Sequence, residues 1–490
     1  MKDIVVIYDD SRKPNQDIKC ITGEKTFGDT IYKRVTLKER MGRTICSLSN
    51  THVKRFEIIR NLSEISGKLF SLEADYNQCV VLHLFSNFGL ADQDALKILL
   101  EKTGYVNENY IVESHEKPAM VIFQNLASYR AFYEGLSMDH EESFDAALAV
   151  SGFQKLSTEA FVDLSEIQHF RQFITGGFEA RFFNMLAGDA YTVTKQSVNK
   201  EKLKKEYDYY YFLPDDMKMW FVRPFRYVEN ETSASYTMER YHMTDIAIRY
   251  VHGAIHTEEF RDILDKLFYF LMHRVEKEVT PEVYEKNTAA LYLDKVDQRI
   301  GELKSSPAFA RLNELVKTGT EFDGIDAVIE WYHTVYHKIL DKKTFRNVLV
   351  AGHGDLCFSN ILYNRDASLL KLIDPRGAAS EDDLYMNPYY DMAKLSHSIC
   401  GAYDYFNSDL FEISLEDDMH FKLTVMGQED RENYRKIFKE YLQKNQIDYS
   451  LIRLYEASLF LSMLPLHIDR EKKVFAFILN AIEILKEIAD

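Results

Sequence analysis

Apolar positions are arranged differently along successive parts of this chain. In the first third they form short unbroken runs. Ile4–Tyr8 (IVVIY), Cys79–Phe85 (CVVLHLF) and Ala119–Phe123 (AMVIF) read as buried strands, with helix-period stretches such as Asp92–Lys102 between them. Such alternation predicts an α/β domain with a largely parallel sheet. A boundary is expected near 155, where Leu156–Phe161 (LSTEAF) has the Ser/Thr and Glu of a capped helix start. Arg171–Lys195 then shows short aromatic and β-branched runs broken by glycine, the pattern of an antiparallel meander. Tyr207–Tyr211 reads as helix, because Leu203, Tyr207, Tyr210 and Tyr211 share a face. From Ile255 to Asp341 the stripe Phe260, Ile263, Leu264, Leu267, Phe268, Leu271 predicts amphipathic helices, and two or three more are expected after Glu429. The segments are thus 1–155, 156–245 and 246–490.

At 490 residues the chain is too long for one ordinary core, which agrees with two or three domains. A net charge of −17 repels phosphate backbones and anionic bilayers, so nucleic acid is an unsuitable partner. Five scattered cysteines without C-x-x-C spacing argue against a disulfide framework and a zinc site, and suit a reducing cytoplasm. The opening MKDIVVIYDDSRK reads as a strand rather than a signal peptide. No apolar run reaches the roughly 20 residues of a membrane helix. A small-molecule partner is expected, and a homo-oligomer is left open.

Candidate chemistry concentrates in Val350–Gly377, VAGHGDLCFSNILYNRDASLLKLIDPRG. His353, Asp355, Asn360 and Asp374 interrupt apolar runs. Ile361–Tyr363 and Leu369–Ile373 read as two short strands around a polar turn. A loop feeding such a hairpin can gather two carboxylates and an amide into an oxygen-rich site of the kind Mg²⁺ shares with phosphates. Phosphoryl transfer uses those parts: one carboxylate for the attacking hydroxyl, and an amide and a second carboxylate for the metal.

The H-G-D-x-x-x-x-N pattern followed by a strand and I-D resembles the catalytic core of the aminoglycoside phosphotransferase and choline kinase family. Its members have a protein-kinase-like fold and phosphorylate small alcohols. The resemblance implies an α+β bilobal domain with a helical C-lobe, and ATP and Mg²⁺ as cofactors. It implies Asp355 as catalytic base, Asn360 and Asp374 as metal ligands, and His353 as a prop for the loop. Tyr389–Ser398 resembles the family's next helix, with Asp391 bracing the loop. Upstream, the family order places a phosphate turn at Gly176-Gly177, a phosphate-reaching lysine at Lys195 and its partner at Glu206, for which Glu201 competes. It places an adenine-gripping hinge at Met238–His242, including Met238 and Tyr241. Pro375-Arg376-Gly377 departs from the usual aromatic-bearing segment. Arg376 can bind a charged substrate group or the transferring phosphoryl, or pair with Glu381, Asp382 or Asp383. That acidic run reads as a solvated loop or as an attraction for a cationic amine.

The order of segments in the first domain resembles the sugar-nucleotide nucleotidyltransferases, with a Rossmann-like, GT-A-like fold. Two parts of that pattern are missing. YDDSRKPN follows the first strand in place of a glycine-rich loop, and Ser86-Asn87 stands where a metal-binding Asp is expected. The domain is therefore expected to be degenerate, serving to bind, scaffold or dimerise, with Asp9 and Asp10 at a strand-end turn. The whole reads as a kinase acting on a sugar, polyol or amino alcohol, in bacterial capsule or surface-polysaccharide assembly. The alternatives are a catalytically weak nucleotide-binding protein, or nucleotidyl transfer by the first domain.

Overall fold

In the computed structural model the described residues are 2–48, 52–76, 78–136, 142–175, 184–188, 191–427 and 430–489. The chain divides into two compact units, Met1–Gly177 and Phe178–Asp490. Gly176 and Gly177, the expected phosphate turn, lie outside the described residues.

The first unit is built on a six-stranded sheet in the order Val53–Ile59, Ile4–Asp9, Val80–Phe85, Lys117–Phe123, Tyr110–Ser114, Gln154–Ser157. The two runs IVVIYD and VVLHLF are buried at every position, as strands covered on both faces must be. The sheet is mixed, not largely parallel. Its first three strands are parallel, but Lys117–Phe123 runs antiparallel to both its neighbours. The cause is a tight hairpin in which His115 and Glu116 both take positive φ, 50° and 64°. That matches the handedness of a two-residue turn that usually carries Asn-Gly.

The expected helix start at Leu156–Phe161 is also corrected. Gln154–Ser157 is an edge strand and Phe161–Asp163 is another, paired with Phe88–Leu90. The Thr158 hydroxyl accepts from the Ala160 amide at 3.1 Å, closing a turn between two strands where a helix cap was expected. This pairing, with the helix Ile167–Ile174 after it, carries the first unit beyond 155. Arg171–Ile174 is correspondingly helix, and the antiparallel meander begins later.

The second unit begins with a four-stranded antiparallel sheet, ordered Asn184–Gly188, Thr192–Ser197, Ala234–Glu239, Pro224–Glu229. The helix Lys200–Phe212 packs on it through Leu203, Ala234 and Tyr236. A helical lobe follows, and its stripe from Phe260 to Leu271 is buried as the periodicity predicted. Two small sheets are set into this lobe. One contains the hairpin Ile361–Asn364 and Leu369–Leu372; the other pairs Val348–Ala351 with Tyr385–Met386. Three helices close the chain: Arg431–Lys444, Tyr449–Ser462 and Glu471–Ala489. Among the described residues no helix is long and apolar enough to cross a membrane.

Candidate active site

The loop after Val348–Ala351 is fixed by one buried carboxylate. Asp391, on the helix Tyr390–Ile399, accepts from the backbone amides of His353 at 2.9 Å and Gly354 at 2.8 Å. It also pairs with buried Arg274 at 3.0 Å. Gly354 sits at φ 79°, a conformation a side chain would strain. The Asp355 amide donates to His353 Nδ1 at 3.1 Å, so that nitrogen carries no proton. Nε2 therefore donates to the Ile373 carbonyl at 2.9 Å. Burial pushes the His353 ring below its ordinary pKa and keeps it neutral, as this tautomer requires. The imidazole thus ties the Asp355 loop to the strand end that leads into Asp374.

Asp355 is held from two sides. Lys394 approaches Oδ1 at 2.9 Å, and the Asn360 amide nitrogen donates to Oδ2 at 3.1 Å and to the Asp355 carbonyl at 2.9 Å. Burial alone would raise the Asp355 carboxyl, but the charge and hydrogen bond of Lys394, with His353 and the Asn360 hydrogen bond, together hold the group below the usual range. The carboxylate is consequently ionised and oriented. The Ile373 amide donates to the Asn360 backbone carbonyl at 3.0 Å, which links the Asn360 turn to the Asp374 loop.

Asp374 adopts φ 53°, rare for a non-glycine residue. Its Oδ1 lies 3.0 Å from Lys195 Nζ, which also contacts Glu206 at 2.6 Å. Lys195 is in the body of its strand and buried, as is Glu206. Burial alone would lower the lysine's pKa; Asp374 and Glu206 overturn this and keep it protonated. Glu201 is exposed and paired with Lys205 at 2.5 Å. Beside this triad opens a cleft lined by Glu206, Val222, Met238, Leu372 and Asp374. Met238 thus stands in the cleft wall. Tyr241 does not line it, and carries Lys371 over its ring at 5.5 Å.

Asn360 and Asp374 offer the oxygen chemistry Mg²⁺ prefers. The Asn360 amide nitrogen is committed to Asp355, which leaves its carbonyl oxygen as acceptor. Two protein oxygens completed by substrate phosphates is a usual Mg²⁺ arrangement. Among the described residues no group of three or more His, Cys, Asp or Glu could hold a metal unaided.

Arg376 does not pair with the acidic run. Asp382 pairs with Lys277 at 2.6 Å, and Asp383 accepts from the Ala379 and Ser380 amides. The Arg376 amide donates to the His353 carbonyl at 2.9 Å, and its side chain is exposed without an ion pair among the described residues. Sequence reasoning missed Lys394 and Arg274. A signal for the first was present: Lys394 is a lone charge in the apolar run MAKLSHSIC, one helical turn after Asp391. Arg274 left none, since its partner lies 117 positions away.

In the first unit the strand-end carboxylates are engaged internally. Asp9 bonds buried His83 at 3.0 Å, and Asp10 accepts from Thr26 at 2.6 Å and the Gly28 amide at 2.8 Å. Asn87 donates to Ser165 at 3.0 Å.

No protein-family model and no curated protein matches this chain. Solved structures do. An aminoglycoside phosphotransferase from Streptomyces rimosus, in complex with ADP and streptomycin, aligns over 59% of this chain and 92% of its own, at 15% identity and TM-score 0.35. An ethanolamine kinase from Plasmodium vivax aligns over 74% and 93%, at 12% identity and TM-score 0.33. A protein described as a nucleotide-diphospho-sugar transferase from Desulfovibrio desulfuricans aligns over 35% and 87%, at 8% identity and TM-score 0.24. In structure the chain therefore resembles aminoglycoside phosphotransferases and an ethanolamine kinase, and over a shorter stretch a nucleotide-diphospho-sugar transferase.

Proposed function

We propose that this chain is an ATP- and Mg²⁺-dependent phosphotransferase that moves the γ-phosphoryl group to a hydroxyl of a small molecule. The observation that carries the reading is the convergence of Lys195, Glu206 and Asp374 at one cleft, with Asp355 and Asn360 tied to the same loop. Lys195, kept charged by Glu206, serves the α- and β-phosphates. The nucleotide base lies against the apolar wall of the cleft, which includes Met238. Asn360 and Asp374 would hold Mg²⁺, which would supply neutralising charge to the phosphates. Asp355 accepts the proton as the acceptor oxygen bonds phosphorus and the bond to the ADP oxygen breaks. The Lys394 and Asn360 contacts keep its carboxylate aimed, and His353 fixes the loop between Asp355 and Asp374.

For the first unit the supported reading is a nucleotidyltransferase-like domain that binds or scaffolds. The hydrogen bonds of Asp9 and Asp10 within the unit, and the absence of a carboxylate at Ser86-Asn87, speak for it. A sugar, polyol or amino alcohol is the corresponding range of acceptors.

The test is ADP release from Mg·ATP with pooled hydroxyl compounds, wild type beside Asp355→Asn. The variant is expected to bind Mg·AMP-PNP as wild type does while losing turnover by about 10³-fold or more. Near-normal turnover in Asp355→Asn removes the base assignment, and failure of the wild type to bind AMP-PNP removes the reading.

A further inference from the structure

The cations around Asp355 bear on the kind of acceptor the site takes; the inference rests on the phosphotransferase reading. Three positive side chains from three separate segments act on the buried hydroxyl of Tyr390, one of them in direct contact. Lys295 follows directly on the π-helical turn Ala290–Asp294 and donates to that hydroxyl at 3.0 Å. A π-helical turn of this kind often marks a functional position. Lys394 stands one turn further along the helix that carries Tyr390 and pairs with Asp355. Arg376 comes from the loop after Asp374. Its stem runs along Gly354, where an added Cβ would stand 2.6 Å from the Arg376 Cβ. Burial alone would raise the Tyr390 hydroxyl, yet Lys295, Lys394 and Arg376 together pull it below its ordinary value.

The charges do not balance. Asp355 offsets Lys394. Among the described residues neither Lys295 nor Arg376 makes an ion pair, although the protein as a whole carries a net charge of −17. Of the acidic run, Asp382 is occupied by Lys277 and Asp383 by backbone amides, while Glu381 makes no ion pair among the described residues. Arg376, whose stem lies against Gly354 beside Asp355, and Lys295, at the Tyr390 hydroxyl on the helix that carries Lys394, repel an ammonium group and suit an oxyanion. Arginine offers it a planar fork of donors and lysine a point charge.

The geometry points to an acceptor that already carries an anionic group, a phosphate or a carboxylate, seated against Arg376 and Lys295 while its hydroxyl faces Asp355. The reaction is then phosphorylation of a sugar phosphate, a polyol phosphate or a hydroxy acid. This narrows the range of acceptors given above, because ethanolamine-like and aminoglycoside-like amines are repelled by the same charges.

The experiment uses the full chain with Mg·ATP and four arms of acceptors: phosphorylated (glucose 6-phosphate, glycerol 3-phosphate), carboxylated (gluconate, glycerate), neutral (glucose, glycerol) and cationic (ethanolamine, choline, kanamycin). Turnover is expected in the phosphorylated or the carboxylated arm, and the arm that responds names the anion. Arg376→Ala and Lys295→Ala should each raise KM for that acceptor about 10- to 100-fold, as loss of a charge-assisted hydrogen bond does. KM for ATP should stay unchanged, and Lys295→Arg should recover much of the loss. Preference for a neutral or cationic acceptor overturns the proposal. So does a fall in kcat with unchanged acceptor KM in Arg376→Ala, which would assign that residue to the transferring phosphoryl. If all arms are silent and calorimetry detects no glycerol 3-phosphate or glycerate binding to the AMP-PNP-loaded protein, the anion subsite is likewise overturned. Failure to bind AMP-PNP is the separate result that removes the kinase reading itself.

Discussion

Asp391 shows how much one side chain can organise. Fully buried, it orders two successive amides of the catalytic loop and neutralises Arg274, which is itself buried. Its removal leaves a buried guanidinium without its counter-charge and two amides without their acceptor. Asp391→Ala is therefore expected to cost about 3–5 kcal/mol of stability, read as a lower midpoint in urea with an unchanged slope. A loss below about 1 kcal/mol would mean the loop is held by other contacts. At this scale the sequence was informative wherever polarity interrupts an apolar run, as at Asp355, Asn360, Asp374 and Asp391. It was uninformative where two candidates were chemically equal. Glu201 and Glu206 lie on one helix, and only the packing of Leu203, Glu206 and Tyr209 against the unit decides which of them meets Lys195.

At the scale of elements, the contact that matters most is between the Asp374 loop and the Glu206 helix. Gly377 has φ 89°, and a Cβ there would meet the backbone of Lys205 at 2.9 Å and of Glu206 at 3.0 Å. The Ala378 amide donates to the Lys205 carbonyl at 3.0 Å. Backbone touches backbone, so neither side can yield by rotating a side chain. Gly377→Ala should push the helix away and lengthen the Lys195–Glu206 contact. The expected result is at least tenfold weaker Mg·AMP-PNP binding by calorimetry, with cooperative unfolding kept; unchanged affinity would show the loop and helix to be independent. Element identity was legible where periodicity was long, as in the stripe from Phe260 to Leu271 and the runs IVVIY and CVVLHLF. It was not legible at short turns. His115-Glu116 makes a hairpin without the residues that announce one, and the Thr158 hydroxyl of a cap-like LSTEAF closes a turn between strands.

At the scale of the molecule, two compact units each enclose a core of their own. The nucleotide site we propose lies wholly within Phe178–Asp490. Two thermal transitions are expected by calorimetry, and saturating Mg·AMP-PNP should raise the midpoint of only one of them, by linkage. In Asp374→Ala that rise should vanish. A rise of both midpoints would place a nucleotide in the first unit as well. From the sequence alone come the strands and helices with long unbroken patterns and the set of polar residues that interrupt them. Those features depend on composition and spacing, which are local. Tertiary structure alone decided the reversed sense of the internal strand Lys117–Phe123, the choice of Glu206 over Glu201, the hold of Lys394 on Asp355, and the freedom of Arg376 from the acidic run beside it. Each depends on which distant segments share a small volume. Burial there makes an unpaired charge costly, so the fold settles partners that spacing along a chain leaves open.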